Sequence, residues 1–138
     1  MDDVRYVVAL QCDIVMQRCS GVACEDAFWK RAGAFAGYLK DPPIRYMSMT
    51  CSGCCGRAVR RKLTNLRKRL GHLAGIEPGQ IRVHFASCVC KDSAHAPPCP
   101  HYDYLKTLVE RSGLTWAEGT YISDKSQARR HDGVWRRH

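Results

Sequence analysis

The sequence predicts a small three-layer α/β sandwich on a mostly parallel, four-stranded sheet, with a ligand site at its carboxyl edge. Three observations predict it. Short apolar runs alternate with longer amphipathic stretches, in the order strand then helix, as far as residue 123. Crossover connections on a parallel sheet are the standard solution for that order. Cysteines also recur just beyond strand-like runs, at Cys12, Cys51, Cys88 and Cys99. The carboxyl ends of parallel strands share one edge, and ligands bind there.

Val4–Gln11 is apolar and valine-rich, as a strand covered on both faces should be. After a loop carrying Cys12 and Cys19, a helix is predicted over Glu25–Lys40, because Phe28, Ala32, Phe35 and Leu39 form one stripe. Asp41-Pro42-Pro43 stops it. Ile44–Met49 is a second strand. The helix Arg57–His72 follows, with Val59, Leu63, Leu66, Leu70 and Leu73 on one face and most of its arginines and lysines off it. Ile81–Ala86 alternates Ile81, Val83 and Phe85 against Arg82 and His84, a third strand. Cys88 and Cys90 then enter a polar loop. Pro100 opens a third helix with Tyr102, Leu105, Leu108 and Val109 as its apolar face, and Thr115–Ser123 is a fourth, weaker strand.

The 138 residues make one domain, large enough to bury a core without disulfides. Nine cysteines exceed what packing needs. The chain opens on Met1-Asp2-Asp3, without a signal-peptide pattern, and holds no apolar run near the ~20 residues of a membrane span. The expected setting is a reducing cytoplasm, where clustered thiols imply metal or redox chemistry more than a disulfide framework. The net charge of +9 comes from the helix at Arg57 and from the segment Asp124–His138. Both are read as solvated, the last segment as a flexible basic tail. Nucleic acid is set aside because no aromatics interleave the cations, and an unidentified small molecule or redox partner is expected instead.

The chemistry concentrates in Cys51-Ser52-Gly53-Cys54-Cys55-Gly56-Arg57. Two residues between Cys51 and Cys54 allow both sulfurs onto one ion at ~2.3 Å. The turn precedes a helix start beside Arg57, an arrangement that stabilises thiolates. Thiolates with an occasional imidazole favour zinc or iron–sulfur centres over hard cations.

Taken together, these residues resemble the CGGC domain, a mainly prokaryotic family whose cysteines and histidines imply metal binding. The resemblance rests on Cys12, Cys19 and Cys24, on Gly33-Ala34-Phe35 with Tyr38, on the Cys51–Cys54 turn, on Ser87-Cys88, and on Cys99-Pro100-His101. It makes residues 1–123 a single CGGC-like domain. Two positions depart from the family: Ser52 replaces the first glycine of Cys-Gly-Gly-Cys, and Tyr121 stands where the family has Gly-Thr-His.

The expected metal ligands are Cys12, Cys51, Cys54, Cys88, Cys99 and His101, with Cys19 and Cys24 completing a second site or a larger cluster. Zinc is the first choice and an iron–sulfur cluster the second. Two other readings stand beside this one. Cys51 and Cys54 could act as a metal-free redox dithiol. Cys51 and Arg57 also have the C-x5-R spacing of small phosphatases and arsenate reductases, with Asp41 or Asp92 as the general acid. Whether the protein is an enzyme is left open. Cys55 and Cys90 are read as small core hydrophobes, and His72, His84, His131 and His138 as surface or helix-end residues.

Overall fold

A computed structural model describes residues 3–17, 19–52, 57–90 and 99–121. Four strands, β1 (Tyr6–Gln11), β2 (Arg45–Thr50), β3 (Ile81–Phe85) and β4 (Thr115–Glu118), form an all-parallel sheet in the order β2-β1-β3-β4. The helices are α1 (Val22–Lys30), α2 (Arg57–Ala74), α3 (Ser87–Cys90) and α4 (Tyr102–Arg111). The predicted α/β class is the observed one. Among the described residues no helix is long and apolar enough to cross a membrane.

Strand β1 is central and buried along its whole length, so Val7, Val8, Ala9 and Leu10 need no polar alternation. On one face Tyr6, Val8 and Leu10 join Ile81, Val83 and Phe85 of β3 beneath α2 and α4. Val59, Leu63 and Leu70 supply the α2 contact, and Leu105, Leu108 and Val109 that of α4. On the other face Val7 meets Ala27 and Phe28 of α1, together with Phe35 and Tyr38. Helices on opposite faces are what right-handed crossovers require when the chain winds from β1 to β2 in one direction and from β3 to β4 in the other. The winding reverses between β1 and β3. The crevice beyond their carboxyl ends is therefore the topological switch point, where sheets of this order bind ligands.

Several boundaries differ from expectation. The helix predicted over residues 25–40 ends at Lys30, because Arg31 (φ 54°) and Gly33 (φ 57°) are left-handed. The Arg31 backbone N–H caps the Phe28 carbonyl, while its guanidinium lies 4.2 Å over the Phe28 ring. Phe28 and Phe35 still meet edge-to-face at 5.4 Å, but Leu39 is 72% exposed. The stripe found the core pair and missed the break between its members. The helical turn α3 falls where a loop was expected, since four residues show no periodicity. Cys54, Cys55, Asp92 and the basic segment from Asp124 lie outside the described residues.

Strand β4 stops at Glu118, short of the predicted Ser123, because Gly119 adopts φ 92° while its N–H donates to the Phe85 carbonyl at 2.7 Å. A Cβ at Gly119 would approach that of Ala34 to 3.2 Å. Gly119→Ala is therefore expected to cost about 1–2 kcal/mol from the left-handed backbone alone. Urea unfolding reads it, and an unchanged midpoint would contradict the account.

Candidate functional site

The sheet delivers thiols to its carboxyl edge from three strand exits. Cys12 follows β1 and Cys51 follows β2, while Cys88 sits in α3, directly after β3. Cys12 and Cys88 flank the switch point and touch: the Cys12 backbone N–H donates to Cys88 Sγ at 3.5 Å. Burial pushes the Cys88 thiol up to about 12; the Cys12 N–H opposes this, and the neighbouring sulfurs of Cys24, Cys12 and Cys19 reinforce it. Cys88 is thus held as a protonated thiol at neutral pH, a poor nucleophile on its own.

Cys24 reaches the edge from the first turn of α1, where its sulfur lies 3.1 Å from Thr120 Oγ1. Thr120 follows β4 and accepts from the Ser87 N–H, while the Thr120 N–H donates to Ser87 Oγ. This clasp ties the exits of β3 and β4 to the start of α1. Cys19 accepts from the Gly21 N–H at 3.4 Å in the loop before α1. Gln11, the last residue of β1, is buried beside Gly21, and its Nε2 has no hydrogen-bond partner among the described residues.

Cys12, Cys51, Cys88, Cys90 and Cys99 pack against the core beneath α2 and α4. Cys99 is tethered to α3, its N–H donating to the Val89 carbonyl at 2.8 Å, and its sulfur accepts from the His101 N–H at 3.4 Å. His101 itself is exposed. Cys90 donates to the Phe85 carbonyl and packs on the core, as a small hydrophobe would. Among the described residues no three Cys, His, Asp or Glu side chains gather closely enough to hold an ion as they stand. The second half of the Cys51–Cys54 pair lies outside those residues.

The turn after β2 shows two residues that sequence reasoning missed. Thr50 Oγ1 donates to Asp13 Oδ1 at 2.9 Å and accepts from the Ser52 N–H at 3.1 Å. Lys62, one turn into α2, donates to the Thr50 carbonyl at 3.2 Å and to Ser52 Oγ at 2.5 Å. Ser52 has φ 63°, a conformation suited to the glycine of the resembled family, and its hydroxyl is held by Lys62. Together Asp13 and Lys62 clamp the backbone on both sides of Cys51. A strand-end aspartate and a lysine in a basic run gave no periodic signal that could single them out. Asp41, by contrast, is exposed just before β2, at the opposite edge of the sheet from Cys51.

His84 is the largest correction. Read as a surface residue, it is 1% exposed beneath the α1 face. Its Nδ1 lies 2.9 Å from the Gly119 carbonyl, which can only accept, so Nδ1 carries the proton. Nε2 then accepts from the Tyr38 hydroxyl at 2.6 Å. Burial lowers the His84 pKa to about 4; the Gly119 carbonyl opposes that and Arg82 adds to it. The folded pKa lies below the unfolded ~6.5, so the unfolded chain takes the proton first. The stabilisation is complete above about pH 6.5, and roughly 3 kcal/mol is lost as pH falls toward 4. Urea midpoints at pH 7, 5 and 4, compared with those of His84→Leu, isolate this slope from the carboxylates. Parallel pH curves for the two proteins would refute it.

Compared with known protein families, residues 6–121 match the CGGC domain. No curated protein and no solved structure matches the chain.

Proposed function

Because the chain belongs to the CGGC domain family, we propose that it is a metal-binding protein whose thiolates hold zinc, or alternatively an iron–sulfur centre, at the carboxyl edge of the sheet. The observation that carries this reading is the Cys12–Cys88 contact at the switch point, with Cys24 and Cys19 close enough to influence the same sulfur. The donor chemistry fits: Cys12 touches Cys88, Cys24 and Cys19 act on the same sulfur, and thiolates are soft donors suited to zinc or iron.

No three donors converge among the described residues. Cys12, Cys88, Cys51 and Cys54 would hold the metal, with Cys19, Cys24, Cys99 and His101 as the remaining candidate ligands. Ligation takes the proton from Cys88, so metal uptake releases protons and weakens with acid. A bound zinc ion would supply Lewis acidity, and a cluster an electron site. The protein's own part is to fix the Cys51 turn through Asp13 and Lys62, and to hold Cys24 against Thr120. Asp41 at the far edge weakens the C-x5-R reading, and the protonated Cys88 makes a poor attacking thiol for a metal-free redox role.

Cobalt(II) substitution tests the reading. Thiolate ligation produces intense sulfur-to-cobalt charge-transfer absorption, and about one or two equivalents per chain should saturate it. Weak absorption without that band would mean the cysteines are not the ligands.

A further inference from the structure

Helix α2 carries Arg57, Arg60, Arg61, Lys62 and Arg67–Arg69, and no aspartate or glutamate, within 18 residues. Such a sequence opposes its own helix. Arg57 and Arg61 are like charges four residues apart, and a cation in the first turn faces the positive end of the dipole. The helix stands because Val59, Leu63 and Leu70 are buried against the sheet. Two of the cations serve the fold. Lys62 holds the turn around Cys51, and Arg67 donates to the Ser112 carbonyl at 2.7 Å.

Four of the others form a surface. Arg57, Arg60, Arg61, Thr64, Asn65 and Lys68 line one shallow groove, with no acidic side chain among its described lining. Their spacing is a continuous stripe along the helix, about 16 Å long at 1.5 Å per residue. It is made of arginine forks and neutral hydrogen-bond donors, the groups that contact phosphate. We propose that this outer face of α2 binds the phosphate backbone of a nucleic-acid duplex.

Two features select that partner. The stripe has no aromatic side chain on which an unpaired base could stack, which disfavours single strands. The stripe instead sets four cations, Arg57, Arg60, Arg61 and Lys68, in a line that complements the regular charge of a duplex backbone. Its contacts are to phosphates, which position without reading sequence. The expectation of a merely solvated helix gives way because the unfavourable charge is uniform and lies in line. This inference does not depend on the metal reading.

The test is fluorescence anisotropy of the full chain with a 20-base-pair duplex, the same bases single-stranded, and a polyglutamate of equal charge. Neutralising about four phosphates predicts a log–log salt slope between about −3 and −4, a weakening of roughly a hundredfold from 50 to 200 mM salt. Arg60→Gln/Arg61→Gln/Lys68→Gln should lower duplex affinity at least about tenfold and flatten the slope. Glutamine keeps helix propensity, so its urea midpoint should not fall, and its metal content should be unchanged. Single strand and polyglutamate should both bind at least about tenfold more weakly than duplex. No duplex binding at 50 mM salt, equal affinity for either competitor, or an unaltered triple variant would each overturn the proposal. The last result would move any binding to the basic segment after Asp124.

Discussion

Replacing Cys12 and Cys88 together by serine is expected to abolish thiolate-dependent metal binding, with affinity falling by at least about a hundredfold. The pair sits at the reversal of winding between β1 and β3, joined by the Cys12 N–H to Cys88 Sγ bond across two strand exits. Serine still accepts the Cys12 N–H, so the fold should survive the change. Cys51→Ser/Cys54→Ser should have an equally large effect, because it removes the only C-x2-C pair in the sequence. Equilibrium dialysis against a zinc buffer measures both. If the Cys12/Cys88 variant loses metal and the Cys51/Cys54 variant keeps it, the site lies at the switch point without the turn. Full retention by both would remove the carboxyl edge as a metal site.

His84→Leu is expected to destabilise the domain by about 3–5 kcal/mol at pH 7. It strands the Gly119 carbonyl and removes the acceptor of the Tyr38 hydroxyl, which is left with Arg82 beneath the α1 face. Tyr38→Phe leaves one orphan, Nε2, and should cost about 1–2 kcal/mol. In the His84→Leu background the same Tyr38 change should cost clearly less, since the His84 hydrogen bond has gone and only the Arg82 interaction is left to lose. Additive losses in this double-mutant cycle would show that the hydrogen bond contributes little. The effect reaches the site because Gly119 leads into Thr120, which contacts Cys24. His84→Leu should therefore also loosen the Thr120–Ser87 clasp, seen as faster amide exchange at Ser87 and Thr120.

Much of this was legible in the sequence. The alternation in β3, the apolar run of β1 and the stripes of α2 and α4 reflect burial, which is written in periodicity, and so the sheet and its layers could be read. The gathering of Cys12, Cys51 and Cys88 at one edge followed from parallel strands alone. What escaped depends on single residues. Arg31 ends α1 in a left-handed conformation that no arginine announces, so the helix was drawn ten residues too long. His84 alternates with apolar neighbours as a solvent-facing residue would, yet both faces of β3 are covered, and only the packed structure supplies Tyr38 and Gly119 as its partners. Asp13 and Lys62 act through the Cys51 turn from distant positions, a relation visible only in three dimensions. His101 was read as a candidate ligand from its place after Cys99-Pro100, and it stands exposed there, joined to Cys99 through its backbone.

The most direct measurement is the metal and acid-labile sulfide content of protein purified without added metal in an oxygen-free chamber, together with its visible spectrum. The account predicts a thiolate-bound metal: about one or two zinc ions per chain in colourless protein, or iron with matching sulfide in brown protein. Protein that emerges folded, with its cysteines reduced and neither zinc nor iron above trace, and that takes up neither on addition, would contradict it.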